Sequence, residues 1–168
     1  MAIRDEPVFR GFEIGLANHS QMMHVERGFR RCRDGNHRAV GYTKTNLRSD
    51  VEDQAPKFDM PSEMQARFAR RSVGGETLGL SLFTLAPNFR IPFGHKHSEQ
   101  EEVYVVVRGS GRIKVEDEIV DLAEWDAIRF ATNTMRCVEA GPDGIEYVAF
   151  GAGEDPMDAE MAPNWWSD

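Results

Sequence analysis

The chain has 168 residues, 40% hydrophobic and 29% charged, and its 28 Asp and Glu against 20 Lys and Arg give a formal net charge of −8. That length and composition favour one globular domain over a disordered chain. The acidic balance disfavours nucleic-acid binding, and the longest apolar run, Val103 to Val107, is far short of the roughly 20 residues of a membrane span.

The charge divides unevenly along the chain. Residues 1–40 carry a net +2, with a loose basic run of Arg27, Arg30, Arg31, Arg33 and Arg38, and the rest carries −10. The first 40 residues show no sustained period of 2 or 3.6 and are expected to form a weakly structured extension. Its His19, His24 and His37 have no carboxylate or cysteine at ligand spacing and are expected to be surface histidines. Arg4, Asp5 and Glu6 stand where the apolar stretch of a signal peptide would begin. Cys32 and Cys137 lie far apart and form no C-x-x-C pair, so free thiols in a reducing cytoplasm are expected.

Residues 41–75 read as a linker with one short helix. Asn46 to Met60 is polar, acidic and punctuated by proline. Ser62 to Arg71 reads as the helix: Ser62 can cap it, and Met64 and Phe68 lie four apart on one face. The period then changes to 2. Leu78, Leu80 and Leu82 alternate with smaller or polar residues, and Val103 to Val107 is rich in β-branched side chains. Arg108-Gly109-Ser110-Gly111 signals a hairpin turn, Asp117-Glu118 another, and Gly141-Pro142-Asp143-Gly144 a third. Further strands are expected over 119–122, 127–130, 136–139 and 145–150. Short strands at this spacing indicate an antiparallel sandwich or barrel. The acidic tail over 152–168 ends in Trp165-Trp166, which is expected to dock it on the barrel or on a partner subunit.

Chemistry is concentrated between His95 and Glu102. Residues two apart on a strand share a face, so His95 and His97 can direct both imidazoles to one metal. A carboxylate from the next strand would complete a three-ligand set suited to Fe, Mn, Ni or Zn.

His95-x-His97, four residues, Glu102, six residues and then Gly109 resembles the first motif of the cupin superfamily. Leu122 to Arg136 resembles its second motif in outline, with Glu124-Trp125-Asp126 at the Gly-Asp turn. The resemblance covers residues 76–151. It implies an all-β double-stranded β-helix (jelly-roll) barrel, often dimeric, with the ligand pocket inside and His95, His97 and Glu102 as metal ligands. The family's second motif supplies a third histidine where this chain has Arg136, and Asn133 stands for its glycine. Asn tolerates a left-handed backbone, so the turn is preserved. Arg136 cannot ligate a metal. It would either pair with Glu102 and replace the metal electrostatically, or turn outward and hold an anionic group of a substrate. If Glu102 faces inward, Tyr104 shares its face and can contact a ligand, while Phe93 shares the parity of His95 and would line an apolar wall. Two functions follow: a metal-dependent oxygenase or isomerase acting on a small polar or anionic molecule, or a non-catalytic small-molecule-binding protein whose metal site is lost.

Overall fold

The computed structural model describes residues 41–153 and 158–167. The extension expected over 1–40, with its basic run, its histidines and Cys32, lies outside the described residues. Among the described residues, one turn of 3-10 helix, Ala55–Phe58, precedes eight strands. These are β1 (Met64–Phe68), β2 (Leu78–Leu85), β3 (Phe93–His97), β4 (Glu101–Val115), β5 (Glu118–Leu122), β6 (Ala127–Phe130), β7 (Arg136–Ala152) and β8 (Ala159–Pro163). All pairings are antiparallel. The sheet runs β1-β2-β7-β3-β8, and β4 joins it through β7 while also carrying β5 and β6. The fold is an all-β curled antiparallel barrel; the alternation left sandwich and barrel open, and the resemblance to cupins implied the barrel. Among the described residues no helix is long and apolar enough to cross a membrane.

Inward residues alternate with outward ones as the pleat requires. Phe83, Tyr147 and Val106 lie in register across β2, β7 and β4, and the Phe83 and Tyr147 rings stack with centroids 5.0 Å apart. Tyr104 stacks on Tyr147 and meets Phe130 edge-on. These rings, with Ile113, Leu85 and Val138, form the core that supports the polar centre.

Three local expectations are corrected. The helix expected over Ser62 to Arg71 is strand β1, paired along its whole length with β2 from Met64↔Leu85 to Phe68↔Ser81. Met64 and Ala66 are buried and Gln65 is exposed, which is a period of 2. A stretch of five residues fits both periods, and the open edge of β2 decides between them by offering backbone partners. The hairpin turn expected at Arg108 to Gly111 is instead a double irregularity inside the long strand β4, with register shifts at Val106/Arg108 and Gly109/Gly111. Gly141 to Gly144 likewise lies within β7 and takes up the unequal count on the facing strand. Gly109 has φ +76°, and a Cβ there would lie 2.2 Å from the carbonyl oxygen of Gly144, so only glycine lets the two bent strands approach.

The tail beyond residue 152 is also more than a tail. Its Ala159–Pro163 segment is β8, paired with β3 from Phe93↔Pro163 to His97↔Ala159. Trp166 is 8% exposed and carries the guanidinium of Arg90 4.5 Å from its ring centre, with that of Arg112 at 5.3 Å. The tryptophans therefore dock this segment on the barrel, as expected.

Candidate functional site

The centre is built where β3, the start of β4 and the start of β7 meet. His95 and His97 share one face of β3, their ring centroids 5.5 Å apart. Arg136 heads β7 and lies in register with His95, so its side chain projects on the same side. The left-handed turn before it is made by Asn133, φ +62°, whose N–H donates to the carbonyl of His97 at 2.6 Å. On β4, Glu102, Tyr104 and Val106 point inward together, and Glu101 points out to pair with Arg129.

Arg136 is only 1% exposed. Its Nη2 donates to Oε2 of Glu102, and its Nη1 donates to the carbonyls of Thr134 at 3.1 Å and His95 at 3.3 Å. The guanidinium carbon also stands 5.3 Å from the centre of the Phe130 ring. The Nε–H is buried with no acceptor. The Tyr104 hydroxyl donates to Oε2 of Glu102 at 3.2 Å and lies 3.2 Å from Nε2 of His95. Burial and then the Glu102 charge push Tyr104 above its ordinary range, so it remains a neutral phenol. Burial first, then the charge of Arg136 and the neighbouring His97, hold His95 well below the usual imidazole value.

His97 is buried between two carboxylates. Its Nε2 faces Oε1 of Glu102 at 3.6 Å, and its Nδ1 stands 2.5 Å from Oδ1 of Asp158, just ahead of β8. The side chain of Gln100 donates to Oδ1 of Asp158 at 2.6 Å. The backbone N–H groups of Glu99 and Gln100 donate to Oδ2 at 2.8 and 3.1 Å. Burial would raise the Asp158 carboxyl, but these bonds outweigh it and hold the group well below the usual carboxylate range. Opposite Glu102 the chain has Gly151, where a Cβ would lie 2.8 Å from Oε1 of Gln100 and 3.4 Å from Oε1 of Glu102.

Of the six site residues read from the sequence, His95, His97, Glu102, Tyr104 and Arg136 come together. Phe93 does not join them. It lines a groove of about 390 Å³ with Phe58, Met60, Pro92, Met161 and Pro163, and no member of the polar cluster lines that groove. Asp158 was invisible to sequence reasoning, because 61 residues separate it from His97. An acidic residue in an acidic tail carries no local signal.

The donor set fits a divalent cation in kind. One atom each from His95, His97 and Glu102 lie within 4.8 Å of one another. Ligands at about 2.1 Å from a metal stand at most about 4.2 Å apart, so such an ion would draw them in slightly. Arg136 holds Oε2 of Glu102 and leaves Oε1 as the carboxylate oxygen turned to His97.

No family model matches the chain, and no curated protein matches it. Solved structures do. A cupin protein from Bacteroides fragilis superposes with a TM-score of 0.56 at 21% identity, over 71% of this chain and 90% of that one. KdgF from a Halomonas species gives 0.54 at 21% identity, over 70% and 99%. Oxalate decarboxylase from Bacillus subtilis gives 0.59 at 22% identity, over 75% of this chain but 33% of that one, so the chain spans a third of that enzyme.

Proposed function

We propose that this chain, which has the cupin fold, binds a small polar or anionic molecule at the centre between β3, β4 and β7, with Arg136 as the receiving group. The observation that carries this reading is the buried Nε–H of Arg136, which has no acceptor. A buried donor left unmet costs about 1–3 kcal/mol, and a carboxylate, phosphate or carbonyl oxygen from a ligand would meet it. Glu102 balances the guanidinium charge, so the pocket holds a fixed ion pair beside two imidazoles and a phenol. On this reading the protein's own cation stands where the cupin motif that the sequence resembles has its third histidine.

A second reading rests on the donor set. His95, His97 and Glu102 would hold a divalent ion (Fe, Mn, Ni or Zn), and Arg136 would orient an anionic substrate beside it. When bound, such an ion would supply Lewis-acid or redox chemistry for an oxygenase or isomerase. Assembly as a homodimer in the cytoplasm completes the proposal. The resemblance to cupins supports the dimer, and the free thiol of Cys137 supports the compartment.

Elemental analysis of protein purified without chelator separates the two readings. The first expects sub-stoichiometric metal, unchanged in His95→Ala/His97→Ala. It also expects calorimetric binding of a small dicarboxylate or sugar phosphate that Arg136→Lys abolishes. Stoichiometric metal lost in the double variant would overturn it in favour of the second.

A further inference from the structure

We propose that Asp158, carried into the barrel by the C-terminal strand, is a positioning residue that fixes the proton of His97 on Nδ1 and so presents Nε2 to the centre. This rests on the reading of that centre as the binding site, and assigns part of its construction to a segment outside the cupin-like motifs.

The chemistry of the contacts dictates the assignment. Asp158 has a side chain 4% exposed and receives four donors: two backbone N–H groups, the Gln100 amide and His97. A carboxylate so supplied is ionised and accepts only. An oxygen of that kind 2.5 Å from Nδ1 requires a hydrogen on Nδ1, since two facing lone pairs would repel. Gln100 Nε2, 3.4 Å from the same nitrogen, is itself a donor turned to Oδ1. Donation from Gln100 to an unprotonated Nδ1 would be the competing arrangement, but it would span 3.4 Å against 2.5 Å for the contact with Asp158, and the shorter contact decides. With the proton held at Nδ1, Nε2 is the atom turned to the centre, and at 3.6 Å from Oε1 of Glu102 it lies beyond hydrogen-bond distance, so that contact does not demand a second proton. Carboxylates that orient a ligating imidazole in this way govern both ring angle and basicity.

The position of Asp158 is itself fixed. Its neighbour Ala159 is in register with His97, and β8 continues along β3 to Pro163. Beyond the strand, Trp166 seats against Arg90 and Arg112. The last residues of the chain thus set the direction of a side chain in the centre.

The test is nitrogen NMR of the imidazoles in the full chain, at a pH where exposed histidines are neutral, with and without Asp158→Ala. The wild-type protein should show Nδ1 of His97 carrying a proton with a strongly downfield resonance. In Asp158→Ala that resonance should move upfield and the two tautomers should mix. If the second reading of the centre holds, zinc titrated calorimetrically into both should bind the variant about 10–100-fold more weakly. An unprotonated Nδ1 in the wild type, or an unchanged spectrum in the variant, overturns the proposal. If the variant does not fold, the wild-type resonance alone decides. Absence of zinc binding by the wild type would remove the metal reading, while the nitrogen spectra would still decide the role of Asp158.

Discussion

Arg136 and Glu102 form an ion pair inside the barrel, the arginine side chain 1% exposed and the glutamate 13%. Removing one partner of a buried pair strands the other charge, which costs about 3–5 kcal/mol, whereas replacing both by apolar groups can be close to neutral. Arg136→Met should therefore lower unfolding free energy by about that amount. Arg136→Met/Glu102→Leu should cost clearly less than the sum of its two single variants. Urea unfolding of the four proteins measures the coupling. Additive costs would mean that the pair does not act as a unit.

The residues that make this pair were legible because the strand period is 2. Once Glu102 is turned inward, Tyr104 and Val106 follow, and His95 and His97 share a face by the same rule. The left-handed turn at Asn133 was legible from the resemblance, in which this asparagine stands for the motif's glycine, together with its tolerance of a left-handed backbone. What escaped was decided by partners distant in the chain. The segment 62–71 fits a helix or a strand until the edge of β2 is present. Glycine pairs in β4 and β7 look like hairpin turns, yet each bend is matched by the other, and neither is visible without both. Strand β8, with no β-branched residue and a terminal proline, has no strand signature and forms because β3 offers an edge.

Glu139 should govern acid stability away from the centre. It accepts from Nε of Arg90 at 2.5 Å and from Nε of Arg112 at 2.6 Å. Burial alone would raise its carboxyl, but the bonds and charges of Arg112 and Arg90 outweigh it and lower the group below its ordinary value. A folded-state value below the unfolded one stabilises fully above the unfolded carboxylate range, about 4.3. The contribution is lost as pH falls through the folded value. Glu139→Gln should cost about 2 kcal/mol at neutral pH and show a shallower loss of stability below about pH 4.5. Thermal midpoints across that window test it. Parallel curves for the two proteins would contradict the assignment.

Cys137 should be chemically silent in the folded protein. It is 1% exposed, its thiol donates to the carbonyl of Ile91 at 3.2 Å, and burial pushes it up to about 11. Nucleophilic attack needs the thiolate. In a Cys32→Ser background, which leaves one thiol to observe, alkylation at neutral pH should run at least about 100-fold slower than in denaturant. Rapid labelling of the native protein would show that the β3–β7 side of the barrel opens.

Gly94 tests how the C-terminal segment is held. It lies on β3 opposite Ala162, and a Cβ there would sit 2.8 Å from Cε3 and 2.9 Å from Cδ2 of Trp165. Those are ring atoms, so the indole must move as a body. The same ring stands 4.7 Å from Nζ of Lys114, and leaving its place forfeits that contact as well. Gly94→Ala should therefore destabilise by about 1–3 kcal/mol, the usual cost of overpacking. With the indole gone the added methyl has room, so in a Trp165→Ala background the same substitution should cost little. Urea midpoints of the four proteins measure this. Equal costs in both backgrounds would mean that the glycine is needed for its backbone and not for the tryptophan it admits.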